Sequence, residues 1–261
     1  MFDVIYFLVV LLIFPLRISS LIHCYDCKET LLLNYTMTNE TVPAISSLCR
    51  SKFAHGCMAN IHWNFASKTT LLSIGVISSL PVTATFNDAI SAQIQLTTNV
   101  DNETFSLIHD MNYVCNSASA CNSENGLRKL LRSVIIQDKF REELPSLIKV
   151  VSPFVPQEAD CLAFNNASFT CPPSDLLKCK RCSTTIVKFS PNTNEICSAC
   201  NPATDIRNRV GYFRSFTVFN RTQDLDIVGL ACQTKNCNSF ENIKRIYQAG
   251  SIQFNSTEFF H

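Results

Sequence analysis

The chain has no concentrated region of positive or negative charge. Its 261 residues contain 22 lysines and arginines against 21 aspartates and glutamates, which gives a formal net charge of +1. Proteins that bind nucleic acid or an anionic membrane surface normally carry a basic patch or stripe. We therefore expect no nucleic-acid partner and no electrostatically bound membrane surface.

The sequence also lacks the motifs of the common enzyme classes. The metalloprotease pattern H-E-x-x-H, the nucleophile elbow G-x-S-x-G, the phosphate-binding loop and the dinucleotide fingerprint are all missing. Beyond His109 the only histidine is His261. Glu142 and Glu143 lie on a predicted helix and are typical of a solvated face. We expect a protein that is not an enzyme and has no cofactor or metal ion, with a carboxylate-dependent secreted hydrolase as an alternative.

Long apolar runs are scarce, and the clearest one lies at the N-terminus. It extends from Val4 to Phe14 and is followed by small residues, so it predicts a secretory signal peptide over residues 1–20 that is cleaved after Ser19 or Ser20. The run is too short to span a bilayer comfortably. Because Asp3 stands where basic residues are usual, an uncleaved anchor that holds the protein on the cell surface is the alternative. The C-terminus shows no hydrophobic tail, so no glycolipid anchor and no membrane insertion after signal cleavage are expected.

Cysteines and glycosylation sequons both indicate export. Fourteen cysteines in an exported chain imply disulfide bonds, which oxidising compartments preserve. Six Asn-x-Ser/Thr sequons are spread over the chain: Asn34, Asn39, Asn102, Asn166, Asn220 and Asn255. The expected mature protein is therefore a secreted, extracellular glycoprotein.

One stretch of the sequence occurs twice. Residues 120–131 are A-C-N-S-E-N-G-L-R-K-L-L, and residues 236–247 are N-C-N-S-F-E-N-I-K-R-I-Y. In both copies a cysteine is followed by Asn-Ser and then by an amphipathic segment. The repeat favours two tandem domains of about a hundred residues each.

The cysteines divide into groups of six, two and six. The outer groups share an opening C-x-x-C, a close middle pair, a long gap and a closing cysteine followed directly by asparagine. In order, the positions are Cys24, Cys27, Cys49, Cys57, Cys115, Cys121; Cys161, Cys171; Cys179, Cys182, Cys197, Cys200, Cys232, Cys237. Zinc binding or redox exchange is the competing chemistry for C-x-x-C, but export favours structural disulfides.

This framework resembles the lymphocyte-antigen-6/urokinase-receptor family of three-finger domains. The resemblance is carried by the opening L-I-H-C-Y-D-C, by a cysteine just before a long mid-domain strand, and by the terminal C-N. The family commonly has ten cysteines per domain, whereas each half here has six. The resemblance implies a disulfide-rich β fold and possible modulation of receptors or channels.

The family's pairing, carried over to the matching positions, implies a disulfide pattern for both halves. The implied pairs are Cys24–Cys57, Cys27–Cys49, Cys115–Cys121, Cys179–Cys200, Cys182–Cys197 and Cys232–Cys237. Cys161 and Cys171, which bracket the sequon at Asn166, look like a local bridged loop that introduces the second domain. The sequence alone does not prove connectivity.

Hydrophobic periodicity predicts a mainly β protein whose two modules are each followed by an amphipathic helix. Ile90, Ala92, Ile94 and Leu96 alternate with polar residues, as in a half-buried strand. The apolar positions after Cys121 recur at helical spacing instead, as they do from residue 240 until Gly250 ends the second helix. The predicted organisation is a signal peptide (1–20), a first domain (21–126), a helix and Pro-containing linker (127–160), a second domain with its C-terminal helix (161–249) and a tail (250–261).

Four residues are candidates for contact with a partner. Trp63, the only tryptophan, follows Cys57 and is either an interface anchor or, more simply, a core residue beside the disulfides. Phe213, Arg214 and Phe219 lie in an aromatic strand of the second half. We expect a non-catalytic recognition module that binds an extracellular or cell-surface protein. A structural component of the extracellular matrix or surface coat is the alternative.

Overall fold

A computed structural model describes residues 21–78, 88–99, 104–149, 161–171, 179, 181–190, 193–201, 207–218 and 222–260. Strands make up 52% of the chain and helices 19%, and seven disulfides are present. The predicted mainly β, disulfide-rich class is therefore confirmed. The predicted signal peptide and the segment 150–160 lie outside the described residues, as do the sequons at Asn102 and Asn220.

Fourteen strands run through the described part of the chain. They are β1 (Ile22–Asp26), β2 (Leu31–Leu33), β3 (Arg50–Ala54), β4 (Gly56–Asn64), β5 (Thr69–Ile77), β6 (Ala89–Asn99), β7 (Thr104–Cys115), β8 (Val134–Asp138), β9 (Phe164–Asn165), β10 (Arg181–Ser190), β11 (Thr193–Asn201), β12 (Arg209–Thr217), β13 (Thr222–Cys232) and β14 (Gly250–Phe254).

The described part of the chain also contains six helices. They are α1 (Ile45–Leu48), α2 (Glu124–Ser133), α3 (Phe140–Glu143), α4 (Pro145–Ile148), α5 (Phe240–Ala249) and α6 (Ser256–Phe260). None of these helices has the length and apolar character needed to cross a membrane. The two predicted amphipathic helices are α2 and α5.

Ten strands form one continuous sheet that passes through both halves of the chain. Its strand order is β2-β5-β4-β7-β6-β12-β13-β10-β11-β9, and each half contributes four long strands in the same relative arrangement. The halves meet where β6 pairs with β12 in antiparallel register. At this junction the backbone hydrogen bonds of the two repeats therefore form a single ladder.

An internal twofold axis relates the two halves and passes through the junction. Gln93 and Phe213 hold equivalent positions in β6 and β12, and they pair with each other. The same symmetry appears in the two-stranded ribbon formed by β8 and β14, where the equivalent residues Ile136 and Ile252 pair. Each ribbon strand directly follows the helix of its own half, so the sequence repeat is arranged like a dimer within one chain.

The helices form because the repeated C-N-S segment supplies their caps. Ser123 Oγ accepts a hydrogen bond from Gly126 N at 3.3 Å, and Ser239 Oγ accepts one from Asn242 N at 3.4 Å. Behind these caps the apolar positions of both helices are buried in the hydrophobic core: Leu127 and Leu130 in α2, Ile243 and Ile246 in α5. Strand β6 buries all four residues of its predicted apolar face.

The structure departs from the predicted boundaries after each helix. Residues 134–138 leave α2 and become strand β8, and residues 250–260, predicted as a tail, form strand β14 and helix α6. Gly250 does end α5, but its backbone is extended (φ −144°) rather than left-handed. A Cβ at Gly250 would lie 2.7 Å from Cε1 of Phe140, so close packing is the reason for the glycine.

Five disulfides join the cysteines that the family resemblance implied. They are Cys24–Cys57, Cys27–Cys49, Cys115–Cys121, Cys179–Cys200 and Cys232–Cys237. Such extensive cross-linking fits an extracellular protein.

The other two expected pairs, Cys161–Cys171 and Cys182–Cys197, are wrong. Cys161 bonds Cys182, and Cys171 bonds Cys197. The strand register explains the difference, because Cys182 lies opposite Cys200 whereas Cys197 lies three residues away, opposite Thr185. The true equivalent of Cys24 is therefore Cys161, and the C-x-x-C at Cys179 is not the opening of the second repeat.

Peptide mapping without reduction checks this connectivity. We expect digestion of the oxidised protein to release one peptide pair joined through Cys161 and Cys182 and another joined through Cys171 and Cys197. The Cys24–Cys57 pair serves as the internal reference because Cys161–Cys182 is its repeat. A peptide in which Cys161 is joined to Cys171 would contradict the structure.

Candidate interaction surface and pocket

The two faces of the large sheet differ in what covers them. Tyr212 is buried on the side of the helices, where its ring packs edge-on against Tyr247 of α5 at 5.9 Å. Side chains alternate along a strand, so its neighbour Phe213 lies on the opposite side. We call the side that carries Phe213 the outer face.

A groove crosses the outer face at the junction of the halves. It has a volume of about 440 Å³, and the outer-face residues that line it belong to β6, β12 and β13: Gln93, Gln95, Arg209, Gly211, Phe213, Leu225, Ile227 and Gly229. Gly211 and Gly229 pair across β12 and β13. A Cβ added at Gly229 would meet no atom within 4 Å, so these glycines form the open floor of the groove.

Equivalent outer-face positions carry polar residues in the first half and apolar residues in the second. The three matched pairs are His62 and Val187, Asp110 and Ile227, and Gln93 and Phe213. In the first half His62 Nδ1 and Asp110 Oδ1 are 2.6 Å apart, and both side chains are about one-third exposed. The outer face therefore has a polar region and an apolar region that meet at the groove.

The structure places the four candidate contact residues in different environments. Trp63 is only 6% exposed, and its Nε1 donates to Met37 O at 2.9 Å, so it belongs to the core. Arg214 lies on the helix side of β12, because Nη1 donates to Ile252 O at 2.7 Å. The prediction that Trp63 and Arg214 are candidates for contact with a partner is therefore wrong. Phe213 lines the groove, and its contact with a partner stays a prediction; Phe219 lies outside the described residues.

Arg214 instead belongs to a buried cluster beneath the β8–β14 ribbon. Its Nη2 is 2.9 Å from Asp226 Oδ2, and the Asp226 residue is only 3% exposed. Burial, with a smaller contribution from the Asp226 carboxylate, raises the pKa of Tyr212 to about 12. The same two causes raise the pKa of Tyr247 above its usual range. Both phenols are therefore neutral at physiological pH.

A second concavity lies on the helix side of the first half, between the sheet and α2. Its volume is about 260 Å³, and its lining is mostly apolar: Thr36, Met37, Thr38, Asn39, Trp63, Phe65, His109, Met111, Leu131, Val134 and Ile136. His109 is its one ionisable lining residue, and its Nε2 is 2.8 Å from Asp138 Oδ2. Phe65 packs edge-on against the imidazole at 4.6 Å between ring centroids.

The described sequons lie away from the central part of the outer face. Asn34 follows the edge strand β2, and Asn166 follows β9 at the opposite edge of the sheet. Asn39 lines the concavity on the helix side, and Asn255 precedes α6 after the ribbon. Glycans at these four positions would leave the groove accessible.

Each half has a buried asparagine at an equivalent position, and its structural role was not predicted from the sequence. Asn122 and Asn238 directly follow the closing cysteines and are both fully buried. Asn122 exchanges hydrogen bonds with Tyr25 N and O, and Asn238 does the same with Leu162 N and O. The repeated C-N pair was the available signal, but an asparagine is usually found at the surface.

Within the described residues, the groups of neighbouring cysteines do not form a metal site, and the Glu142–Glu143 pair does not form a catalytic site. The cysteines that come within metal-binding distance of one another, such as Cys57, Cys115 and Cys121, are all in disulfides. Glu142 and Glu143 are exposed on α3, and Glu143 is 3.8 Å from the amine of Lys139.

Comparison with known proteins adds no family assignment. No protein-family model matches the chain, and searches of curated proteins and of solved structures find no significant match.

Proposed function

We propose that this is a secreted, non-catalytic recognition protein that binds an extracellular or cell-surface protein through the outer face of its sheet. The observation that carries the proposal is the groove at the junction, where Phe213, Leu225 and Ile227 are only half-buried although they are large and apolar. Apolar and aromatic side chains beside a polar rim are typical of protein interfaces.

Two further features support this surface over others. Residues of three strands line the groove and no residue of a described helix does, so no described helix competes with a partner for it. The described sequons lie at the sheet edges or on the helix side, so glycans there would not block it. We also propose that each half is a diverged three-finger domain, which the Cys24–Cys57 bond and its repeat Cys161–Cys182 support.

Replacement of Phe213 by serine tests the assignment of the groove. We expect the labelled, glycosylated protein to bind saturably to intact cells of the organism that produces it, and Phe213→Ser to weaken that binding at least thirtyfold, about 2 kcal/mol for a central interface residue. Ile135→Ser is the matched control, because Ile135 is 39% exposed on the ribbon, away from the groove. Cell binding is measured by flow cytometry over a concentration series.

Two outcomes would contradict the proposal. Equal loss of binding in Phe213→Ser and Ile135→Ser would move the interface away from the groove. Concentration-dependent self-association of the purified protein, abolished by Phe213→Ser and without cell binding, would favour a structural matrix component. Light scattering on the same samples measures the second outcome.

A further inference from the structure

We propose that the concavity on the helix side of the first half is a binding site for a compact aromatic molecule. The two halves of the chain differ at this place in a way that shows what fits. Three equivalent positions define the comparison: Trp63 and Lys188, His109 and Asp226, and Leu131 and Tyr247. The first residue of each pair lines the concavity.

In the second half an aromatic side chain of the protein fills the equivalent space. The ring of Tyr247 projects from α5 and lies 4.0 Å from the amine of Lys188, measured to the ring centroid. It also packs edge-on against Tyr212. The Tyr247 hydroxyl is buried without a hydrogen-bond partner among the described residues, so the fit depends on ring shape rather than on a polar contact.

In the first half the corresponding residue of α2 is leucine, which is smaller and has no ring. The space that Tyr247 occupies in one repeat therefore remains open in the other, as a concavity of about 260 Å³. An engineered apolar cavity of about 150 Å³ in another protein takes up benzene. The concavity can thus hold a substituted single ring or a fused pair of small rings.

The lining chemistry fits the same class of ligand. Trp63, Phe65 and Met111 provide aromatic and sulfur-containing surfaces, which form favourable edge and sulfur contacts with rings. His109, held by Asp138, supplies one polar group at the wall. A mostly apolar pocket with a small number of placed polar groups is the usual form of a small-molecule site.

Fluorescence of the only tryptophan provides a direct test, because Trp63 lines the site. Titration of the intact glycosylated protein with 4-ethylphenol should change the Trp63 emission saturably, with a Kd on the order of 1 mM or tighter. Calorimetry should give one site per chain. 1-Hexanol, which is apolar but has no ring, should bind more weakly.

Two variants, one in α2 and one in β8, each place a larger side chain in the site. The test therefore does not depend on the folding of a single variant. Leu131→Tyr, which copies the second half, and Ile136→Phe should each weaken 4-ethylphenol binding about tenfold or more. Ile135→Phe is the control, because Ile135 lies on the same strand as Ile136 but does not line the site. Near-ultraviolet circular dichroism establishes that each variant is folded.

The proposal would be overturned by three results. These are no saturable change of Trp63 emission up to the solubility of 4-ethylphenol, unchanged binding in both folded filling variants, and equal or tighter binding of 1-hexanol. None of these measurements involves the outer face, so they are independent of the proposed partner-binding function.

Discussion

Replacing Asn122 with alanine should lower the free energy of unfolding by about 4 kcal/mol. Asn122 Nδ2 is within 2.8–3.3 Å of three backbone carbonyl oxygens, those of Tyr25, Met58 and Gly75, and Oδ1 accepts from Tyr25 N at 3.0 Å. Each buried polar group left without a partner costs about 1–3 kcal/mol, and water entering the new space would satisfy some of them. The variant should therefore retain only part of the wild-type stability.

Asn122 is expected to matter because it connects three segments that are far apart in sequence. One side chain links β1, β4 and β5 to the loop closed by Cys115 and Cys121. Asn238 repeats the arrangement with Leu162, Ser183 and Ser198, so Asn238→Ala should cost a similar amount. The asparagine therefore explains physically why a C-N pair closes each repeat.

Guanidinium unfolding of the oxidised protein, followed by Trp63 fluorescence, measures this loss. Asn125→Ala is the matched control, because Asn125 is an exposed residue of α2, the helix that begins two residues after Asn122. Its effect should remain within about 0.5 kcal/mol. A loss below about 1 kcal/mol in Asn122→Ala would show that the buried hydrogen bonds are replaced by water at little cost.

Replacing Arg214 with methionine should lower the stability by about 3–5 kcal/mol. The change removes the guanidinium that lies 2.9 Å from Asp226 and leaves a carboxylate in a site that is only 3% exposed. Breaking a buried ion pair by removing one partner typically has this cost. The hydrogen bond from Arg214 to Ile252 O is also lost, which weakens the contact between the sheet and the ribbon.

A double variant separates the cost of breaking the ion pair from the cost of lost packing. Arg214→Met/Asp226→Leu removes both charges and should recover most of the loss, because buried ion pairs are often replaceable by apolar residues. Arg209→Met is the control, since Arg209 is exposed on the same strand. If the double variant is no more stable than Arg214→Met, loss of the ion pair with Asp226 is not the cause. Chemical unfolding of all four proteins gives the comparison.

The prediction of strands and helices succeeded where the pattern was local. Alternation in Ile90, Ala92 and Ile94 depends only on one face of a strand being buried, and the Ser123 cap depends on neighbours within one helical turn. The end of α2 was not predicted, because Val134 and Ile135 continue the apolar pattern of the helix. They enter a strand because β14, more than a hundred residues later, offers them a partner.

The candidate site was predictable only in part for the same reason. Phe213 and Arg214 are adjacent, so no pattern of composition decides which of them faces outward. Tertiary contacts decide it, because Ile252 O of the ribbon and Asp226 of β13 both bind the guanidinium on the helix side. Similarly, Trp63 can be buried because the backbone carbonyl of Met37 accepts a hydrogen bond from its indole N–H.

The duplication, the disulfide-rich β class and the helix after each module could all be predicted from the amino-acid sequence, because they depend on spacing and periodicity along the chain. Three features became evident only in the folded chain: Cys161 opens the second repeat, β6 pairs with β12 to form one sheet, and the two halves carry different outer faces. Those features depend on strand register, which is set by hydrogen bonds and packing between residues far apart in sequence.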